Sequence, residues 1–234
     1  MPKISIINRS TVMSDQDVQK ITAALQKQVE ADWMPVWGLG ATLQFVASKA
    51  KAHHDSWWLT VLDDSDQADA LGYHDLTHAG LPLGKAFAKS DITSGFQPSV
   101  TISHELLEMM ADPEINLSAQ VGDKIYAYEV CDPCEADAAG YKIDGVLVSD
   151  FVTPAWFQPV PHPGGPYDRQ ERLKAPLTLL AGGYMQYLDL GKSAGWQQVT
   201  AHKDPEARAR PKLGSRRERR RVGHANWQRS TASG

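Results

Sequence analysis

The sequence predicts an α+β fold, with a mixed sheet packed on one central helix and a strand-rich C-terminal half behind it. Three observations carry this. An early amphipathic helix is flanked by short apolar strands, and a second, strongly apolar helix occupies the middle of the chain. From there to about residue 200 strand and turn signals follow one another, an order that fits α+β better than repeated βαβ units. With 234 residues, 42% of them hydrophobic and 22% charged, the chain is long and apolar enough to bury a substantial core.

Residues 3–8 read as the first strand. Ser14 followed by Asp17 resembles a capping box. Val18, Ile21, Leu25 and Val29 then recur at spacings of three and four, which predicts a helix over 15–31 ended by Trp33-Met34-Pro35-Val36-Trp37-Gly38. Residues 41–47 and 57–62 read as buried strands, 73–83 as a turn-rich segment and 84–88 as another short strand. Pro98 suits a first helical turn, where its missing N–H would have no partner anyway, and Pro113 stops the run, so the central helix is expected at 97–112. Strands are expected at 124–130, 141–143 and 146–152, the last two joined by the hairpin pair Asp144-Gly145. A Pro/Gly loop over 158–170 precedes final strands at 178–187 and 195–200.

Charge divides the chain. Residues 205–234 carry nine Lys and Arg against two Asp and Glu, a balance of +7. The total is −4, so residues 1–204 carry −11. The expected organisation is therefore a single acidic domain over 1–204 and a basic tail over 205–234. The tail has few apolar residues, is expected to be disordered on its own, and suits nucleic acid or an acidic protein surface. No apolar stretch approaches the ~18 residues of a membrane span. The apolar part of the N-terminus is too short for a secretory signal, so no membrane role and a cytoplasmic location are expected. Cys131 and Cys134 cannot form a disulfide framework and are expected to be reduced and packed near the central helix.

The chemistry concentrates in Ser103-His104-Glu105-Leu106-Leu107-Glu108-Met109-Met110-Ala111-Asp112. Positions four apart share a helical face, so His104 and Glu108 point the same way, with Glu105 about 100° around. Two ligands one turn apart beside a carboxylate are what metal-assisted hydrolysis requires: two side chains hold the ion and the third takes a proton from water. Asp112 stands two turns beyond His104 and Asp132 lies further on; both are candidates for orienting a ligand.

This run resembles the His-Glu-x-x-His signature of zincin metallopeptidases, with Glu108 at the place of the second His. The wider phrases Gly72-Tyr73-His74-Asp75, Ser103–Glu108 and 148–157 (Val-Ser-Asp-Phe-Val-Thr-Pro-Ala-Trp-Phe) resemble a group of bacterial and phage-type proteins with a His-Glu-x-x-Glu centre. The resemblance implies a zincin-like metallopeptidase of the gluzincin type, acting on a peptide or protein. It also implies a third ligand from a later Glu: Glu129, 21 residues after Glu108, with Asp132 and Glu135 as competitors. Zn2+ is the expected ion, and an oxygen-rich ligand set leaves Mn2+ and Fe2+ open. A catalytically inactive assembly protein or a peptide-binding module on the same fold is the alternative.

Other constellations compete. His74 and His78 form a second i, i+4 pair, but the flanking Gly72, Gly80 and Pro82 favour a polar turn; the functional reading has His74 or Tyr73 line the cleft and stabilise an oxyanion. Tyr128 is a candidate for contacting substrate, though tyrosines in strands usually only pack. His53 and His54 read as surface residues, and the tryptophans as core. A deaminase centre is excluded, because His104 and Glu105 are adjacent and Pro133 lies inside the Cys pair.

Overall fold

The computed structural model describes residues 1–66, 71–158 and 165–201. The basic tail and residues 159–164 of the Pro/Gly loop lie outside the described residues, and with them the expectations placed there. Among the described residues no helix is long and apolar enough to cross a membrane.

The chain is a mixed α+β structure, as its patterning predicts. Strand β1 (Lys3–Asn8) leads to helix α1 (Asp15–Gln28), whose capping box is present: the Asp17 N–H donates to Ser14 Oγ at 3.1 Å and the Ser14 N–H to Asp17 Oδ2 at 3.2 Å. The helix does not end near residue 31. It passes through a π-helical turn, Val29–Trp33, into the short helix α2 (Met34–Trp37), and stops at Gly38 with φ 68°. Pro35 has no N–H to give to a regular helical ladder, and a wider turn just before it absorbs the mismatch.

Strands β2 (Thr42–Val46) and β3 (Trp57–Leu62) pair in parallel with β1 on either side. The turn-rich reading of 73–83 is corrected at its first half: Gly72–Leu76 is strand β4, which returns antiparallel through a hairpin to β5 (Pro82–Phe87). Glycine and proline bracket this strand closely, and five residues are too few for periodicity to outweigh them. The sheet order is β2-β1-β3-β5-β4, with β4 the antiparallel edge.

A short helix α3 (Ala88–Thr93), not expected from the sequence, leads to α4 (Pro98–Ala111). Every residue of α4 from Ser99 to Ala111 is buried, because the sheet (β3, β4, β5) and the later hairpin both pack on it. That hairpin is β8 (Tyr141–Ile143) and β9 (Val146–Val148), turned by Asp144 and Gly145, both at positive φ as a two-residue hairpin loop requires. Between α4 and β8 lie β6 (Ser118–Val121) and β7 (Lys124–Ala127), and β10 (Tyr184–Asp189) and β11 (Trp196–Thr200) complete a four-stranded antiparallel sheet, order β11-β10-β7-β6.

The strands expected at 124–130, 146–152 and 178–187 are shorter in the structure than their apolar runs. Beyond Ala127 and Val148 the chain leaves its ladder to deliver 129–135 and 149–153 to the interior. Buried polar bonds tie α1 to this C-terminal half. The Gln28 side chain donates to the Ser149 carbonyl (2.9 Å) and accepts from Ser103 Oγ (2.8 Å). Asp32 accepts from the Tyr141 hydroxyl and from the Arg169 guanidinium, both at 2.8 Å. Trp33 and Trp156 are core residues, whereas Trp37, Trp57, Trp58 and Trp196 are half-buried.

Candidate metal centre

Two polar side chains fix the rotation of α4. Ser103 Oγ bonds Gln28 on one side and accepts the Ser149 N–H (3.1 Å), and Thr101 Oγ1 donates to Asp91 (2.8 Å) on α3. With the helix so held, His104 and Glu108 do face the same way, one turn apart. His104 Nε2 lies 3.1 Å from Glu108 Oε1 and 3.3 Å from Asp132 Oδ1. Glu108 Oε1 also accepts the Cys131 N–H at 3.2 Å. Asp132 belongs to the 3-10 turn Asp132–Cys134, which packs so tightly on the start of β10 that a side chain on Gly183 would come 2.2 Å from the Pro133 carbonyl oxygen. That close approach fixes the turn.

The other oxygen of Glu108 faces a second histidine. Oε2 lies 3.7 Å from His74 Nδ1, as does Glu105 Oε2, and Glu129 Oε2 lies 4.0 Å from His74 Nε2. His74 is thus a buried member of β4, 1% exposed, and neither of its ring nitrogens has a hydrogen-bond partner among the described residues. His78 is exposed in the hairpin turn, so no His74–His78 pair forms, and His53 and His54 are exposed as expected. Two residues before His74, on the same face of the strand, Gly72 leaves room for Glu105. A Cβ at Gly72 would lie 2.6 Å from Glu105 Oε1 and 2.8 Å from Thr101 Cγ2.

His104, Glu105, Glu108, Asp132, Glu135 and His74 therefore converge, and three sets of donor atoms each lie within 4.8 Å of one another: His104–Glu108–Cys131, His74–Glu105–Glu108 and His104–Asp132–Glu135. Glu129 is buried beside His74, and Asp132, a competitor for the third ligand position, places Oδ1 against His104. Beyond Ala127, where β7 ends, the chain turns inward and carries both acids to the centre.

Tyr73 does not line this centre. Successive strand residues point to opposite faces, and its hydroxyl reaches Asp66 (3.0 Å) while its ring meets Phe87 on the far side from His74. Tyr128 stacks on Phe157 (4.4 Å between ring centres) and meets Trp37 edge-on, and burial raises its pKa. The Asp112 carboxylate closes the turn after α4 by accepting the Asn116 and Leu117 N–H groups, both at 3.0 Å.

Both cysteines are free thiols and buried beside the centre, as expected. Burial first, and then the Glu108 carboxylate, push the Cys131 thiol well up; burial and Asp150 do the same for Cys134. Nothing in the residue order marks Cys131 as a donor on the His104 side, because a two-Cys motif without a second pair carries no ligand count. Nor does it mark the buried Asp150, which burial and the neighbouring Asp168 carboxyl push up to about 8.

Five carboxylates (Glu105, Glu108, Glu129, Asp132, Glu135) and two imidazoles are packed here, all less than a tenth exposed. Burying a charge costs several kcal/mol even after relaxation. Histidine nitrogen and carboxylate oxygen are borderline-to-hard donors suited to Zn2+, Mn2+ or Fe2+, and this donor set can hold a metal ion. A scan of family models matches none to this chain, and searches of curated proteins and of solved structures return no match.

Proposed function

We propose that the protein is a metal-dependent hydrolase of zincin-like build that cleaves peptide or amide bonds, with Zn2+ as its ion and Mn2+ or Fe2+ as substitutes. The observation that carries this reading is the placement of Glu108 Oε1 and Asp132 Oδ1 at 3.1 and 3.3 Å from one nitrogen of His104, with Glu105 on the adjacent turn. His104, Glu108 and Asp132 hold the ion, and Glu135 and Cys131 stand within reach of the same seat. A divalent cation there polarises a carbonyl and lowers the pKa of water. Glu105 accepts the proton as the water oxygen attacks the carbonyl carbon. It returns that proton to the amide nitrogen as the C–N bond breaks, leaving a carboxylic acid and an amine. His74, beside Glu105, is placed to donate to developing negative charge.

The test is Glu105→Gln in full-length protein loaded with Zn2+ or Mn2+ and offered a fluorogenic peptide library. The wild type is expected to cleave. The variant is expected to keep an ion that His104→Ala loses, and to fall in turnover by at least 100-fold, about 10²–10⁴ being the usual contribution of a general base. Cleavage retained by Glu105→Gln overturns the assignment.

A second reading is favoured by one observation, the burial of every donor. Structural metal sites are closed, whereas catalytic ones keep an open position. An ion that stabilises the fold, in a chain that binds metal and cleaves nothing, is the outcome that selects it.

A further inference from the structure

We propose that the centre takes two divalent ions, the second seated by His74, Glu105 and Glu108 on the opposite side of Glu108 from His104. The proposal rests on the metal reading above for the first ion and adds a site to it.

The geometry of Glu108 is the first ground. Its two oxygens are turned to different histidines: Oε1 to His104 Nε2 at 3.1 Å and Oε2 to His74 Nδ1 at 3.7 Å. A carboxylate whose oxygens serve separate imidazoles is the bridge of a two-metal site, in which the ions stand roughly 3.5–4 Å apart. Each side has its own donors within 4.8 Å, His104–Asp132–Glu135 on one and His74–Glu105–Glu108 on the other.

His74 is the second, independent ground. An imidazole 1% exposed, with no hydrogen bond at either nitrogen among the described residues, bears a desolvation cost without return. Its Nδ1 is aimed at the Glu105 and Glu108 carboxylates from a distance too long for a hydrogen bond and suited to an ion between them. Its Nε2 faces the Glu129 carboxylate at 4.0 Å, beyond hydrogen-bond reach but on the side from which a carboxylate orients a ligating histidine once the two close together. Glu129, expected from the sequence as a ligand, becomes the positioning residue of this seat.

Charge is the third. One divalent ion offsets two of the five buried carboxylates and two ions offset four. With only the first seat filled, Glu105 accepts a proton. With both filled, its carboxylate is a ligand and two cations acidify the water together, so the second ion changes what Glu105 does without moving the reaction elsewhere.

The experiment counts ions. Full-length protein stripped with chelator is titrated with Mn2+ and with Zn2+, and bound metal per chain is measured by calorimetry and elemental analysis. The wild type is expected to take two equivalents, and His74→Asn and Glu105→Gln one each. Mn2+-loaded wild type is expected to show an exchange-coupled electron paramagnetic resonance spectrum that His74→Asn replaces with that of isolated ions. One equivalent in the wild type, unchanged in both variants, overturns the second seat and leaves the first standing. No bound metal in the wild type overturns both. Should His74→Asn not fold, Glu105→Gln and the wild-type stoichiometry decide alone.

Discussion

Two acidic clusters are buried among the described residues, and they are neutralised differently. Asp150 and Asp168 lie together in the C-terminal half, held by backbone donors. Asp150 Oδ1 accepts the Phe151 and Gln170 N–H groups, and Asp168 accepts those of Arg172 and Leu173. The Asp150 carboxyl is pushed up to about 8 by burial and by Asp168, so near neutral pH this pair shares a proton. The cluster on α4 has imidazoles among its carboxylates, and one of them, His74, has no hydrogen bond of its own. The difference separates a device that fastens two loops from a centre whose donors could hold a cation. A proton suffices where carboxyl groups meet each other and backbone N–H groups, whereas imidazole nitrogens aimed between carboxylates suit a metal.

Chelation is the sharpest way to break that contrast. A ligand bound only by the folded state stabilises it by RT ln(1 + [L]/Kd), about 4 kcal/mol per ion at 1,000-fold excess over Kd. Thermal unfolding in the presence of Mn2+ or Zn2+, with and without a chelator, is expected to show a loss of that order for wild type. His104→Ala is expected to show a smaller loss, because the ion seated by that imidazole is already missing. An equal Tm with and without metal would reduce the α4 cluster to an ordinary buried ion-pair network.

The Asp150–Asp168 pair predicts the opposite sensitivity, to protons and not to metal. The folded-state pKa of Asp150 lies above its ordinary 3.8, so the folded chain holds this proton more tightly than the unfolded one. Its stabilising contribution is therefore complete below the ordinary value, declines as pH rises through the interval up to about 8, and is gone above it. The size is on the order of a few kcal/mol, a tenfold difference in proton affinity between the folded and unfolded chain being worth about 1.4 kcal/mol. Asp150→Asn keeps an acceptor for the Phe151 and Gln170 N–H groups and offers Asp168 an N–H in place of the shared proton. Denaturant unfolding at a series of pH values is expected to fall for wild type over that interval and to be nearly flat for the variant, with metal content equal in both. A parallel decline in the two proteins would remove the pair as the source.

The two clusters were unequally legible. His104, Glu105 and Glu108 could be read from one run because a helix turns spacing into direction, and a single helix supplies all three. Pro98 and Pro113 bracketed that helix to within a residue. Asp132 was visible as a competitor to Glu129 and as a candidate for orienting a ligand, but not as the acid set against His104, because the turn that presents it is set by the contact of Gly183 with Pro133, 50 residues away in sequence. His74 was legible as a candidate for the cleft, but its place in a strand was hidden behind turn signals, since that strand is defined by its pairing with β5 and not by its own composition. The Asp150–Asp168 pair joins residues 18 apart across a loop that no local pattern connects. What is local in the chain was readable, and what depends on two distant backbones meeting was not.

The smallest expected effect tests where the α4 centre meets the sheet. Gly72 faces Glu105 across the β4–α4 contact, and a methyl group there would lie 2.6 Å from Glu105 Oε1, 2.8 Å from Glu105 Cγ and 2.8 Å from Thr101 Cγ2. None of these atoms can swing into solvent, because Glu105 is 1% exposed and Thr101 fully buried, and Thr101 is further tied to Asp91. Gly72→Ala is expected to cost about 1–3 kcal/mol by overpacking and to push the Glu105 carboxylate off the His74 side of the centre. The damage should then be selective. Metal held at His104 stays, the ion that depends on His74 and Glu105 is lost, and turnover falls further than stability. The counterpart on the far face of the same strand, Tyr73→Phe, removes the hydroxyl with its contacts to Asp66 and Lys85 and is expected to leave metal content and turnover unchanged. Equal damage to turnover from both substitutions would mean that β4 acts through its general stability, and the assignment of one face of that strand to the centre would fail.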